Sequence, residues 1–231
     1  SPIGLTLVRV ITPATVPVAV VALLHDDGGA ALVAIVLGAV ATAVAFTSEV
    51  GEAMVQGSAY GDERRFPLRA PAAMLPLMLA AWVLWCAAVL GAVVAAGHER
   101  WLVAVAVAVV AVAATWLFGR ALHRLSRRWL VLVPAGVVLH DHVLLGETLM
   151  VQRSNVAGAA LALSGTEAAD LTGPAGGHAI DVAVREMVLV VFPTTREQPR
   201  GRALHVQSFL VAPTRPGRVL QAMTEAGLPV G

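Results

Sequence analysis

RALHRLSRRWLVLVPAGVVLH, residues 120–140, carries the chain from a long apolar run into short strands. Before it lies an uncharged run, Trp101–Gly119. After Arg128 the pattern changes to short apolar runs broken by turns. Trp129–Val133 and Val137–His140 flank Pro134-Ala135-Gly136, a turn-forming triplet, and so read as paired strands. The chain therefore divides here into an apolar helical part and a strand-rich part.

Working back toward the N-terminus, four apolar runs appear at about 5–24, 28–46, 71–97 and 101–119. A bilayer core takes roughly 20 apolar helical residues, and each run is close to that length. The first is the weakest, because it holds Arg9, Pro13 and Pro17; Arg9 is expected to snorkel to the interface. Val-Ala alternation at 103–108 mimics a strand, but 19 uninterrupted residues favour helix. Residues 1–120 are thus expected to form a four-helix transmembrane domain, 121–128 a basic juxtamembrane hinge, and 129–231 a small cytoplasmic β-rich domain. Small residues at Ala73, Ala80, Ala87, Ala88, Gly91 and Ala95 predict close packing of the third span.

Composition agrees. The 231 residues are 58% hydrophobic and 13% charged, about half the charge of a typical soluble domain. All 16 basic residues are Arg, which with the Ala, Val and Gly content resembles chains from GC-rich genomes such as actinobacteria. A net charge of +1 gives no reason to expect a nucleic-acid partner. The single cysteine, Cys86, can form no disulfide within the chain and reads as a small core residue of the bundle.

Arginine placement gives an orientation. Arg64, Arg65 and Arg69 lie between the second and third runs; Arg120, Arg124, Arg127 and Arg128 follow the fourth. The opposite links, 25–27 and 98–100, hold only Arg100. The positive-inside rule then puts both termini and the C-terminal domain in the cytoplasm, with the chain in the cell (inner) membrane. Those seven arginines are also the candidate contacts for lipid headgroups or a partner protein, since each exposed Arg near an anionic surface contributes about 1 kcal/mol. YGDERRFPLR, residues 60–69, is the most distinctive string among them.

Further along, strands are expected at 147–152, 157–163, 180–184, 187–192 and 203–211, a flexible loop at 164–178, and a polar hairpin at 193–202. A helix from Thr214 or Arg215 to Ala226 follows, stopped by Gly227 and Pro229. RRWLVLVPAGVVLH (127–140) directly after a span, and TLMVQRSNVAG (148–158), resemble bacterial pleckstrin-homology-like domains carried on multi-span anchors. That resemblance implies strands followed by one C-terminal helix, and a non-catalytic role in binding proteins or lipid headgroups. The basic first hairpin of phosphoinositide binders is missing: 134–147 offers His140 and His142 but no Arg. From Trp129 on, the chain has 7 Arg against 8 acidic residues. A protein–protein role is therefore favoured.

Chemistry-bearing clusters are sparse. Glu49 and Glu52 share a helical face and, with Asp62, could support a metal-dependent membrane enzyme; the plainer reading pairs them with Arg64, Arg65 or the 124–128 arginines. His140 and His142 fall on one strand face with Asp141 pointing away, but a zinc site wants three or four ligands. Serines lack a nucleophile-elbow setting. The expectation is a non-catalytic accessory or scaffolding protein, with membrane lipids and other membrane subunits as partners and no catalytic residue, metal or cofactor. A lipid-binding or transport-assisting protein is the alternative.

Overall fold

The structure is a computed structural model that describes all residues except 26–27 and 195–200. Two compact units emerge: Pro2–Gly51 with Leu75–His123, and Ser1, Glu52–Met74 with Arg124–Gly231.

The first unit is helical. It holds α1 (Pro2–His25), α2 (Gly29–Ala45), most of α4 (Met74–Gly97) and most of α5 (Trp101–Ser126). Three of these, α1, α4 and α5, are long and apolar enough to cross a membrane; α2 qualifies only with α3 (Ser48–Gln56), which follows it at a 60° bend. Large apolar side chains face outward along them: Leu102 is 89% exposed, Val112 71% and Leu84 70%. Such surfaces are unfavourable in water and natural in hydrocarbon, so the helices are consistent with a membrane protein. The link at 25–27 falls largely outside the described residues.

The expected packing of small residues on the third span is seen in part: Ala95 is buried and Ala88 half-buried. Ala73, Ala80, Ala87 and Gly91 are exposed, while Cys86 and Ala95 are buried. The tight approach is between α1 and α2 at Gly38, where a Cβ would lie 2.7 Å from Thr15 Oγ1 and 3.1 Å from Val16 Cγ2. Two half-buried tryptophans of α4 each find an acceptor for the indole N–H. Trp82 Nε1 donates to Val10 O (3.3 Å) and Trp85 Nε1 to Thr115 Oγ1 (2.7 Å). Arg9 donates to Ala45 O (3.2 Å) at the end of α2 and lies 5.4 Å from the Phe46 ring centre. A helix C-terminus, with its unsatisfied carbonyls, suits a cation.

The second unit holds two four-stranded sheets and a terminal helix. β1 (Arg64–Pro67), β2 (Trp129–Val133), β3 (Gly136–His140) and β4 (Leu149–Gln152) form an antiparallel sheet in chain order. β5 (Val156–Leu161), β6 (Ala169–Asp170), β7 (Ile180–Phe192) and β8 (Arg202–Val211) form the other, in the order β5-β7-β8-β6, with β6 parallel to β8. Between the sheets sit Phe66, Leu130, Leu132, Val137, Leu139, Ile180, Val182 and Phe209, among others. Amphipathic α6 (Pro216–Glu225) adds Val219, Ala222 and Met223 from one face.

Several local signals act as expected. Gly136, at φ +149°, sits so close to the β4 backbone that no side chain would fit. The end of α6 is a Schellman motif: Leu228 N donates to Met223 O (2.9 Å) and Gly227 N to Thr224 O (2.8 Å), with Gly227 at φ +68°.

Four readings need correction. The 60–69 string is not a free loop. It supplies β1, paired with β2 from Arg64↔Leu132 to Pro67↔Trp129, and Phe66 and Leu68 enter the core. No separate hinge spans 121–128, because α5 continues to Ser126 through the good helix formers Ala121, Leu122, Arg124 and Leu125. The strands expected at 180–184 and 187–192 are one strand with a bulge between Ala183 and Val188. The loop expected at 164–178 contributes β6. The polar hairpin expected at 193–202 lies mostly outside the described residues.

Candidate functional site

Most of the arginines singled out by sequence are engaged inside the sheet-bearing unit. Arg128 is the extreme case. It emerges just after α5, where the alternation of β2 turns its side chain inward, and its guanidinium is 1% exposed. Nε donates to Asp141 Oδ2 (2.8 Å), Nη1 to Arg69 O (2.5 Å) and Nη2 to Thr172 O (3.4 Å). Asp141 is equally buried, and its other oxygen accepts from Val143 N (3.0 Å) and Leu144 N (3.2 Å). A buried pair survives only when its remaining donors and acceptors are also satisfied, and this one meets that demand. The clamp ties together the exits of β1, α5, β3 and β6.

Arg69 works the same way on backbone carbonyls. It donates to Gly176 O (3.0 Å), His178 O (3.1 Å) and Thr214 O (3.4 Å), pinning the 172–178 segment. Arg64 pairs with Glu225 of α6 at 2.6 Å, and this bond holds the Glu225 carboxyl below its usual range. Arg65 pairs with Glu63 (2.5 Å), donates to Ser58 Oγ (3.1 Å) and lies 5.1 Å from the Trp129 ring centre. Arg124 donates to His142 O (3.0 Å). Arg127 is exposed, and Arg120 lies 5.2 Å from the Trp116 ring centre. Arg128 is therefore closed off from any headgroup, and Arg64, Arg65, Arg69 and Arg124 are wholly or partly committed to contacts within their own unit.

The acidic and histidine clusters resolve similarly. Glu52 meets neither the 64–65 nor the 124–128 arginines; its Oε2 lies 2.7 Å from Arg218 and 3.6 Å from Arg215, both at the start of α6. The pairing partner was distant in sequence, so charge spacing alone could not find it. Glu49 lies beside Ser48 (3.3 Å), and Asp62 is exposed. His140 stacks on Trp129 (5.1 Å between ring centres) and meets His142 edge-on (4.3 Å). Its Nδ1 is 3.4 Å from Thr148 Oγ1. Burial, then the nearby His142, Arg127 and Arg65, push the His140 pKa down to about 4, with Asp141 opposing. A neutral imidazole can ligate a metal, but among the described residues no group of three or more His, Cys, Asp or Glu gathers. His178 and His205 do not join the pair.

Three contacts escaped the sequence reading. Asp141 was legible in principle: if His140 faces out, Asp141 faces the core beside Val137 and Leu139, and a core-facing charge requires a counter-charge. Arg153 donates to Ala226 O at the end of α6. Asn155 spans the bulge of β7: its Nδ2 donates to Glu186 O (2.9 Å) and its Oδ1 accepts from Glu186 N (2.7 Å). An isolated Asn carries no pattern that announces such a role.

One surface remains unused. Past the bulge, β7 and β8 continue as a ribbon, with Val188↔Val206, Leu189↔His205, Val190↔Leu204 and Val191↔Ala203 opposite one another. β6 covers β8 only at Phe209 and Leu210, so among the described residues Arg202–Gln207 has β7 as its one strand neighbour. The ribbon's outer face is largely uncharged, and Leu189 is 49% and Met187 61% exposed. An open edge of this kind can accept a further strand. Compared with family models, curated proteins and solved structures, the chain shows no match to any of them.

Proposed function

We propose that this chain is a non-catalytic membrane accessory protein whose sheet-bearing unit docks an extended segment of a partner membrane subunit. The observation that carries the reading is the open β8 edge at Arg202–Gln207 beside the exposed Leu189. Backbone N–H and C=O groups along such an edge supply affinity, and side chains on alternate positions supply selection. In this reading the unit is pleckstrin-homology-like: two sheets and a C-terminal helix that packs into the core. The commitment of Arg64, Arg65, Arg69 and Arg128 to internal contacts favours protein docking over headgroup capture on that face.

The pairing of β1 with β2 supports the topology. The two strands flank α4 and α5 in sequence, so if those helices cross a bilayer they do so as a hairpin returning to one side. The positive-inside rule makes that side cytoplasmic, in the cell (inner) membrane.

A photo-crosslinking side chain placed at Ala203 or Gln207 in native membranes tests the docking. One partner polypeptide should be captured from both edge positions and not from Asp62, which is exposed just before β1. Equal capture at Asp62, or adducts to lipid alone, would overturn the reading.

A further inference from the structure

We propose that α5 carries a binding site for one anionic phospholipid, with an acyl chain in the hollow at Gly119 and the phosphate on Arg120. The inference rests on α5 being a membrane span, but not on the existence of a protein partner.

The hollow is a shallow, mostly open depression of about 470 Å³ on one face of α5, lined by Val112, Thr115, Trp116, Gly119, Arg120 and His123. These residues recur at helical three- and four-residue intervals, so they form one stripe. The stripe is apolar at the Val112 end and cationic at the other. Gly119 leaves open space on this face, since a Cβ there would meet nothing within 4 Å. The Trp116 ring walls one side, and the Arg120 guanidinium lies 5.2 Å from its centre. That contact holds the cation by the ring's electron-rich face. α5 contains no Asp or Glu, and among the described residues no hydrogen bond or ion pair takes up the Arg120 donors.

Position selects the ligand. Arg120 directly follows the uncharged run Trp101–Gly119, at the depth where phosphates replace hydrocarbon. An apolar slot ending in an unpaired guanidinium complements an acyl chain ending in a phosphate, because a planar fork suits phosphate oxygens. A partner helix would fill the slot but leave the charge unanswered; free phosphate would answer the charge but leave the slot empty.

The whole chain, purified in detergent, can be titrated with phosphatidylglycerol and with phosphatidylcholine of the same acyl chains, and bound lipid counted by native mass spectrometry. Phosphatidylglycerol should be retained selectively, and inorganic phosphate should not displace it. Arg120→Gln should weaken phosphatidylglycerol roughly fivefold and phosphatidylcholine, whose choline already offsets the phosphate charge, clearly less. Gly119→Leu keeps the charge but fills the hollow, and should weaken both lipids. Arg100→Gln, at the opposite end of the helix, should change nothing. Undiminished phosphatidylglycerol retention in both site variants would overturn the proposal. So would displacement by phosphate, or a dimer that Gly119→Leu dissolves without affecting lipid.

Discussion

Arg128 and Asp141 meet at 2.8 Å inside the sheet-bearing unit, and neither side chain is more than 1% exposed. The pair links the residue that precedes β2 to the residue that follows β3. Removing one partner strands a charge in the core. Arg128→Met and Asp141→Ala should each destabilise the unit by about 3–5 kcal/mol, whereas the apolar double variant should lose much less than the sum. Denaturant unfolding followed by tryptophan fluorescence checks this, since Trp129 lies next to Arg128. Additive losses would show that the two charges do not depend on each other.

The α1–α2 contact should be equally sensitive to size. With Thr15 Oγ1 2.7 Å and Val16 Cγ2 3.1 Å from a Cβ built at Gly38, Ala requires those side chains to shift, and Leu requires the helices to separate. Gly38→Leu should therefore abolish cysteine crosslinking between facing positions of α1 and α2, while Gly29→Leu, which meets open space, should preserve it.

His140 predicts a pH dependence of definite sign. Its folded pKa, about 4, lies below the ordinary value of 6.5. The unfolded chain therefore binds more protons between those values, and stability is present above 6.5 and lost as pH falls toward 4. Replacing His140 with Gln should flatten the melting temperature of the purified chain across that window. Asp141, the carboxylate next to His140, is unchanged in both proteins, so an unaltered profile would assign the acid sensitivity elsewhere.

Asn155 should prove important beyond its exposure. Asn155→Ala leaves Glu186 N and O without their side-chain partner at the β7 bulge. A loss of about 1–2 kcal/mol is expected, with faster hydrogen exchange confined to the bulge.

Topology can be read with the single native thiol removed. In a Cys86→Ala background, a membrane-impermeant thiol reagent added outside intact cells should label His98→Cys and spare Gly217→Cys on α6. Labelling of the α6 position alone would reverse the assigned orientation.

The apolar runs, the turn at Pro134-Ala135-Gly136 and the stop at Gly227 could be read from the sequence because each is a local effect. Span length, φ preference and helix capping are properties of neighbouring residues. Most strands followed for the same reason, from short apolar runs bounded by turn residues. Only the tertiary structure could decide that Arg64–Pro67 is a strand, because its partner, Trp129–Leu132, lies beyond two long helices and four residues are too few to show a period. It alone decided which arginines are free. A guanidinium's environment depends on what long-range pairing brings to it: Asp141 to Arg128, Glu225 to Arg64, Glu52 to Arg218. Charge counting saw seven equivalent arginines. Folding buried Arg128, set others to work as clamps, and left Arg120 beside a hollow at the end of an apolar helix.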